Sequence, residues 1–220
     1  LLIVGSKGFI GSHTLKEFVA QSGYAVFGCD VVTDYASDNY FQIDASNADY
    51  HEIFETNRFD FCINCSGAAS VPDSLLHPYK DYLLNVINVF KLLDAIKKYS
   101  PDCFCINRAS AAVYGNPRTL PVREVDSCQP LSPYGSHKLQ AEMICNEFSL
   151  HFGIKTCSVR IFSAFGESLQ KQLFWDLAQK IKNAKNNTIT LYGTGNESRD
   201  FIYVKDITRI IGLLILNENA

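Results

Sequence analysis

The sequence predicts an α/β fold in which helices cover both faces of a doubly wound parallel sheet. Three observations predict it. Strand and helix patterns alternate along most of the chain. The strands are near-continuous apolar runs, as expected of strands buried on both faces. A turn of regularly spaced glycines joins the first strand to the first helix.

The elements follow in order. "LLIV" is the first strand, and an amphipathic stretch from about Phe9 to Gln21 the first helix. "YAVFGCD" is the second strand and "YFQID" a short third, followed by a helix with Asn47 as its cap. "FDFCINC" is the fourth. One long helix then runs over about 76–99, with Leu83, Val86, Ile87, Phe90 and Leu93 on its apolar face. "CFCIN" is the fifth strand and "KTCSVRIF" the sixth, with a helix over 134–151 between them. After Phe162 the pattern loosens: a helix near 169–185, strands at "TITLYG" and "RDFIYV", and a last helix from Asp206. The expected division is 1–162 for the main domain and 163–220 for the start of a smaller C-terminal substrate lobe, with segments returning to the main domain. The chain opens on a strand without an initiator Met, so a trimmed N-terminus is expected; the second lobe reads as unfinished.

Composition bounds the function. Of the 220 residues, 47% are hydrophobic and 20% charged, enough for a sizeable core. A net charge of −3 gives no reason to expect nucleic acid or an anionic membrane as partner. No apolar run approaches spanning length and no signal-peptide pattern is present. Most of the eight cysteines sit in apolar patterns, as buried free thiols of a reduced cytoplasm do. Cys62 and Cys65 form C-x-x-C, but on a strand residues three apart face opposite ways, so no metal is expected there.

"VGSKGFIG" spaces Gly5, Gly8 and Gly11 three apart, directly after a strand and opening a helix. That is the context in which glycines admit a pyrophosphate to a helix N-terminus: one for the tight turn, one for close backbone approach, one for helix–strand packing. Asp30 ends the second strand 19 residues after Gly11, placed to accept from adenosine ribose hydroxyls. Neither Arg nor Lys occurs from 17 to 57, and an acid there repels a 2′-phosphate, so NAD is expected over NADP.

"SPYGSHK" begins a helix, with Ser132 as N-cap and Pro133 in the first position. Tyr134 and Lys138 are then i and i+4, on one face. A phenol of ordinary pKa about 10 is a poor base, but a neighbouring cation favours the phenolate. The pair is a candidate general base for an alcohol that loses hydride to NAD. His137 reads as a solvated bystander. Ser110 lies at the carboxyl end of the fifth strand, where open sheets bind ligands, and Arg199 is a planar cation suited to a diphosphate.

These motifs, in order with "FQIDAS", "INCSGAASVPDS", "NVINVFKLLDA", "SAAVYG", "VRIFSAFG" and "GTGNESRDFIYVKDI", resemble the extended short-chain dehydrogenases/reductases of the nucleotide-sugar epimerase/dehydratase type along the whole chain. The resemblance implies a Rossmann-type domain. It implies that Gly5, Gly8, Phe9, Ile10 and Gly11 hold the NAD pyrophosphate, Asp30 the ribose, and Asp44 and Ala45 the adenine end. Ser66, Gly67 and Asn85 line the cofactor further along. It makes Ser110, Tyr134 and Lys138 catalytic, the last two touching cofactor as well. Ser110, Tyr134, Ser163 and Arg199 face a nucleotide-diphosphate sugar. It implies a cytoplasmic homodimer formed through helices 76–99 and 134–151.

Within that family, dehydratases carry acids just after the serine position, where this chain has Ala111 and Ala112. "SAAVYG" is most similar to the C4-epimerases, whose chemistry is hydride removal, rotation of a 4-keto sugar and hydride return. Departures at Ser163, at Asn107–Arg108–Ala109 and at Asn88 point to an unusual substrate or reduced activity. Two other readings stand beside the epimerase: a reductase, dehydrogenase or dehydratase on a nucleotide sugar, and an NAD-binding sensor weakened in catalysis.

Overall fold

The computed structural model describes residues 1–45, 47–184 and 188–218. Six parallel strands form the main sheet: β1 (Leu2–Val4), β2 (Phe27–Asp30), β3 (Tyr40–Gln42), β4 (Phe61–Asn64), β5 (Phe104–Ser110) and β6 (Thr156–Ile161). Their order is β3-β2-β1-β4-β5-β6. Strand order reverses between β1 and β4, so the loops after these two strands diverge and leave a crevice at the sheet's carboxyl edge.

The apolar runs divide between two core layers. Leu2, Val4, Cys62, Cys103 and Cys105 pack on one face with α2 (His51–Thr56), α5 (Asn88–Tyr99) and α6 (Pro133–Phe152). Ile3, Ile63, Cys65, Phe104 and Ile106 pack on the other with α1 (Phe9–Ala20) and α8 (Val204–Glu218). Cys62 and Cys65 therefore do lie on opposite faces. Alternate residues of the central strands β1 and β4 are thus buried on opposite sides, so these strands are apolar almost throughout, whereas the edge strand β6 alternates Thr156, Ser158 and Arg160 with Cys157, Val159 and Ile161.

Several expected elements differ. The long helix is broken into α3 (Val71–Leu76), α4 (Pro78–Tyr82), a π-turn over Leu83–Ile87, and α5. Pro78 starts a new helix after His77. The π-turn adds a residue to the helical repeat. It rotates the buried stripe to Val89, Leu92, Leu93, Ala95 and Ile96 and leaves Phe90 43% exposed. Asn47 is no cap: α2 starts from Tyr50, and the Asn47 Oδ1 accepts from Lys91 Nζ at 2.5 Å.

After β6 a second sheet of two parallel strands, β7 (Ser163–Phe165) and β8 (Phe201–Tyr203), brackets α7 (Gln172–Lys182). α7 is shorter than 169–185, and residue 185 lies outside the described residues. "TITLYG" forms a single bridge at Thr188 and no strand. Leu191 and Tyr192 stay exposed, so the segment buries no apolar face that would hold a strand in place. α8 begins at Val204, two residues earlier than expected, and Ile207, Ile211 and Ile215 return to the main core.

Candidate active site

The glycine turn shows why side chains are excluded. Gly5 has φ +78°, and a Cβ on it would lie 2.7 Å from the Ser66 amide nitrogen. A Cβ on Gly11 would lie 2.0 Å from the Gly5 carbonyl oxygen. The turn is thus folded tightly between α1 and the loop after β4. Asp30 is tied to it: one carboxylate oxygen accepts from the Lys7 amide at 2.8 Å, the other from the Val31 amide at 2.7 Å. The Ile43 amide donates to the Asp30 carbonyl at 3.0 Å. This brings exposed Asp44 and Ala45 to the same edge. Phe9 and buried Ile10 open α1 just beyond the turn.

The loop after β4 is held by a polar chain that sequence reading missed. Asn64 and Asn107 sit opposite each other in β4 and β5. Asn64 Nδ2 donates to Asn107 Oδ1 at 2.9 Å, and Asn64 Oδ1 accepts from the Ser66 hydroxyl at 2.6 Å and its amide at 3.1 Å. Both asparagines are buried, and Asn64 Oδ1, satisfied by the Ser66 hydroxyl and amide, fixes that residue, while Asn107 Nδ2 has no partner among the described residues. Gly67 follows with φ +103°. A Cβ there would meet Asn85 Oδ1 at 2.5 Å and lie 3.4 Å from Lys138 Nζ. Asn85, in the π-turn, is fully buried with both amide atoms unpartnered.

The helix bearing the tyrosine and lysine starts as its residues dictate. Ser132 Oγ accepts from the Gly135 amide at 3.1 Å, and Pro133 follows. The Tyr134 amide donates to Ser74 Oγ of α3 at 3.2 Å, a contact 60 residues away that sequence spacing does not reveal. A Cβ on Gly135 would lie 2.7 Å from the Ala112 carbonyl oxygen, so α6 is pressed against the turn that Ser110 starts. Ser110 Oγ accepts from the Ala112 amide at 3.2 Å, which caps that turn and leaves the hydroxyl free to donate.

Lys138 is 2% exposed, and its Nζ donates to the Arg108 carbonyl at 3.3 Å. Burial lowers its pKa well below the usual lysine value; the Arg108 cation lowers it further, and Asp81 opposes both. His137 is not solvated. Its Nδ1 lies 2.6 Å from Asp81 Oδ2, with the two side chains 12% and 3% exposed. Asp81 sits on α4, a helix boundary hidden from sequence reading, which concealed the pair.

Ser110, Tyr134, Lys138, Ser66, Gly67 and Asn85 therefore meet at the carboxyl ends of β4 and β5. Ser163 and Arg199 meet elsewhere, in a cleft of about 160 Å³ between β7, β8 and α7, with Trp175 and Phe174 on its wall. The Ser163 amide donates to the Asp200 carbonyl at 3.1 Å, which joins the two strands there. Arg199 is exposed.

The residues present fit a dinucleotide: a glycine cradle that any Cβ would fill, a carboxylate at its rim, and orphaned amide atoms on Asn85 beside Gly67. The comparisons agree. UDP-glucose 4-epimerase of Lacticaseibacillus casei is 25% identical, over 97% of this chain and 69% of its own. UDP-glucose 4-epimerase from Brucella ovis, solved with NAD, superposes with a TM-score of 0.82 at 27% identity, covering 100% of this chain and 74% of that one. UDP-glucuronic acid 4-epimerase from Bacillus cereus, solved with UDP-glucuronic acid and NAD, gives 0.82 at 26% identity over 94% and 70%. With the family's sequence profile matching residues 1–220 throughout, the chain belongs to the NAD dependent epimerase/dehydratase family.

Proposed function

We propose that the chain is an NAD-dependent nucleotide-sugar epimerase that inverts C4. What carries the reading is the meeting of Ser110, Tyr134 and Lys138 beside the glycine cradle, with Ala111 and Ala112 offering no acid for elimination. When bound, NAD supplies a hydride acceptor that can return the hydride. Gly5, Gly8, Phe9, Ile10 and Gly11 hold its pyrophosphate, Asp30 its ribose, Asp44 and Ala45 its adenine end. Ser66, Gly67 and Asn85 position the remainder.

Tyr134 takes the proton from the sugar hydroxyl as the alcohol carbon is oxidised. Ser110 donates to the same oxygen and holds it as it becomes a carbonyl. Lys138, buried on the face of α6 that carries Tyr134, biases the phenol toward its anion. Rotation of the 4-keto sugar presents its other face, and Tyr134 returns the proton. Arg199 and Ser163 receive the diphosphate and sugar in the cleft beside β7. Named relatives acting on UDP-sugars make a UDP-hexose the first substrate to try.

The cofactor portion is 1–162 and the substrate portion 163–220, with α8 returning to the core. Leu76, Tyr79, Phe90, Met143 and Leu150 are exposed on α3 to α6. They support a homodimer formed across those helices. Among the described residues no helix is long and apolar enough to cross a membrane. Eight free cysteines support a reduced compartment, the cytoplasm.

The test is to incubate the chain with NAD and a panel of UDP-hexoses and resolve C4 epimers by chromatography. Interconversion without added reductant is expected, with Tyr134→Phe losing at least about a thousandfold while still binding NAD. Stoichiometric consumption of NADH would replace the epimerase by a reductase.

A further inference from the structure

Arg108 has no counterpart in the chemistry described so far. It lies on β5 two residues before Ser110, hence on the same face. One guanidinium nitrogen donates to the Ser66 carbonyl at 3.1 Å, and the buried Nε has no partner. Its own carbonyl receives Lys138 Nζ. Lys138 and Arg108 are thus adjacent at the end of β5, and the Arg108 charge is felt at Lys138. Among the described residues no carboxylate pairs with Arg108. The nearest acid whose charge is felt at Lys138 is Asp81, and that carboxylate is bonded to His137. Cys65 and Cys145 are further titratable neighbours of Lys138; burial keeps the Cys65 thiol up at about 11 despite the pull of Arg108, and burial raises Cys145 as well. Arg108, faced by no carboxylate among the described residues, is thus a cation in surplus at this end of β5.

That surplus has a chemical consequence, which rests on the cofactor site assigned above. Proton and hydride leave the same alcohol, so the ring that accepts the hydride has to lie within reach of Ser110 and Tyr134. In that step the alcohol becomes a ketone, the proton passes to Tyr134, and NAD becomes NADH. The nicotinamide loses its positive charge. A fixed cation close by, in partly buried surroundings, disfavours the charged ring and leaves the neutral one untouched.

We propose that Arg108 is a positioning residue that sets the balance between oxidised and reduced cofactor: it weakens the hold on NAD relative to NADH and so favours the state in which the sugar is oxidised. Lys138 alone supplies part of this bias; Arg108 adds to it.

The experiment is a pair of titrations without sugar, NAD by calorimetry and NADH by fluorescence, on the parent chain, Arg108→Met, Arg108→Lys and Asp81→Asn. The ratio Kd(NAD)/Kd(NADH) should fall roughly tenfold in Arg108→Met, the size of a one-charge effect over several ångströms. It should stay within about threefold in Arg108→Lys and rise in Asp81→Asn, which removes the opposing charge. If both constants shift together and the ratio holds, Arg108 is a strut for the Ser66 loop and the inference fails. Should Arg108→Met not fold, an unchanged or falling ratio in Asp81→Asn overturns it independently. A parent chain that binds neither nucleotide would remove the cofactor site itself. Loss of sugar turnover with the ratios as expected would instead remove only the epimerase reading.

Discussion

Gly67 combines a backbone conformation that L side chains rarely adopt with neighbours that leave no room for a Cβ. Gly67→Ala therefore strains the loop and pushes Asn85 away from the lysine at the same time. We expect NAD affinity to fall at least about tenfold, measured by calorimetry, with a loss of about 1–3 kcal/mol in stability. At this scale the residues proposed as the catalytic trio were legible in the sequence as candidates. Tyr134 and Lys138 share a helix face by spacing alone, and Ser110 ends a strand. The residues that hold the trio were not. Ser74, Asn64 and Asp81 act across 60, 43 and 56 positions of chain, and no local pattern encodes which strand ends or helices will meet.

Between elements, the firmest polar tie joins α6 to β6. Arg160 makes a forked pair with Glu142, at 2.7 and 3.0 Å, and reaches the Tyr114 hydroxyl at 2.8 Å and the Glu124 carbonyl at 2.9 Å. Glu142 is 6% exposed. Glu142→Gln leaves a half-buried guanidinium without its counter-charge, and we expect a loss of about 3 kcal/mol in urea unfolding. Because α6 carries Tyr134 and β6 borders β5, turnover should fall as well. Periodicity read α1, α6 and the six strands correctly in kind. It failed where the period itself changes: the π-turn shifts the phase of the helix ahead of α5, so Phe90, expected inside, faces out.

For the whole molecule, the many buried thiols govern the response to alkali. Burial raises Cys29 to about 12 and Cys65 to about 11, and raises Cys103, Cys145 and Cys157 too; Cys62 is raised by its hydrogen bond with Cys105 and then by burial. The folded chain keeps these protons in a range where the unfolded chain gives them up. The unfolded state therefore binds fewer protons above about pH 9, and stability falls as pH rises. Lys138 opposes this, since its folded value is lowered and unfolding there takes up a proton. Six thiols outweigh one lysine. Each net proton is worth about 1.4 kcal/mol per pH unit, so urea midpoints under reducing conditions should drop steeply between pH 9 and 10.5. The overall class was plain from the sequence because apolar strands and glycine turns are local signals. The two-stranded β7–β8 pairing was not, since its partners lie far apart in the chain.

That small seam has an evolutionary consequence. The stretch between β7 and β8 carries α7, and the two strands are bonded Ser163 to Phe201 through Phe165 to Tyr203. The excursion is anchored at its base and borders the cleft of Ser163 and Arg199. Closing a loop costs only about 0.6 kcal/mol more for each doubling of its length. Lengthening this one, for instance by six Gly/Ser residues between Glu197 and Ser198, should move Tm by less than about 2 °C in a thermal melt. The seam thus lets heritable variation accumulate around the cleft of Ser163 and Arg199 while the sheet that carries the glycine turn is inherited unchanged.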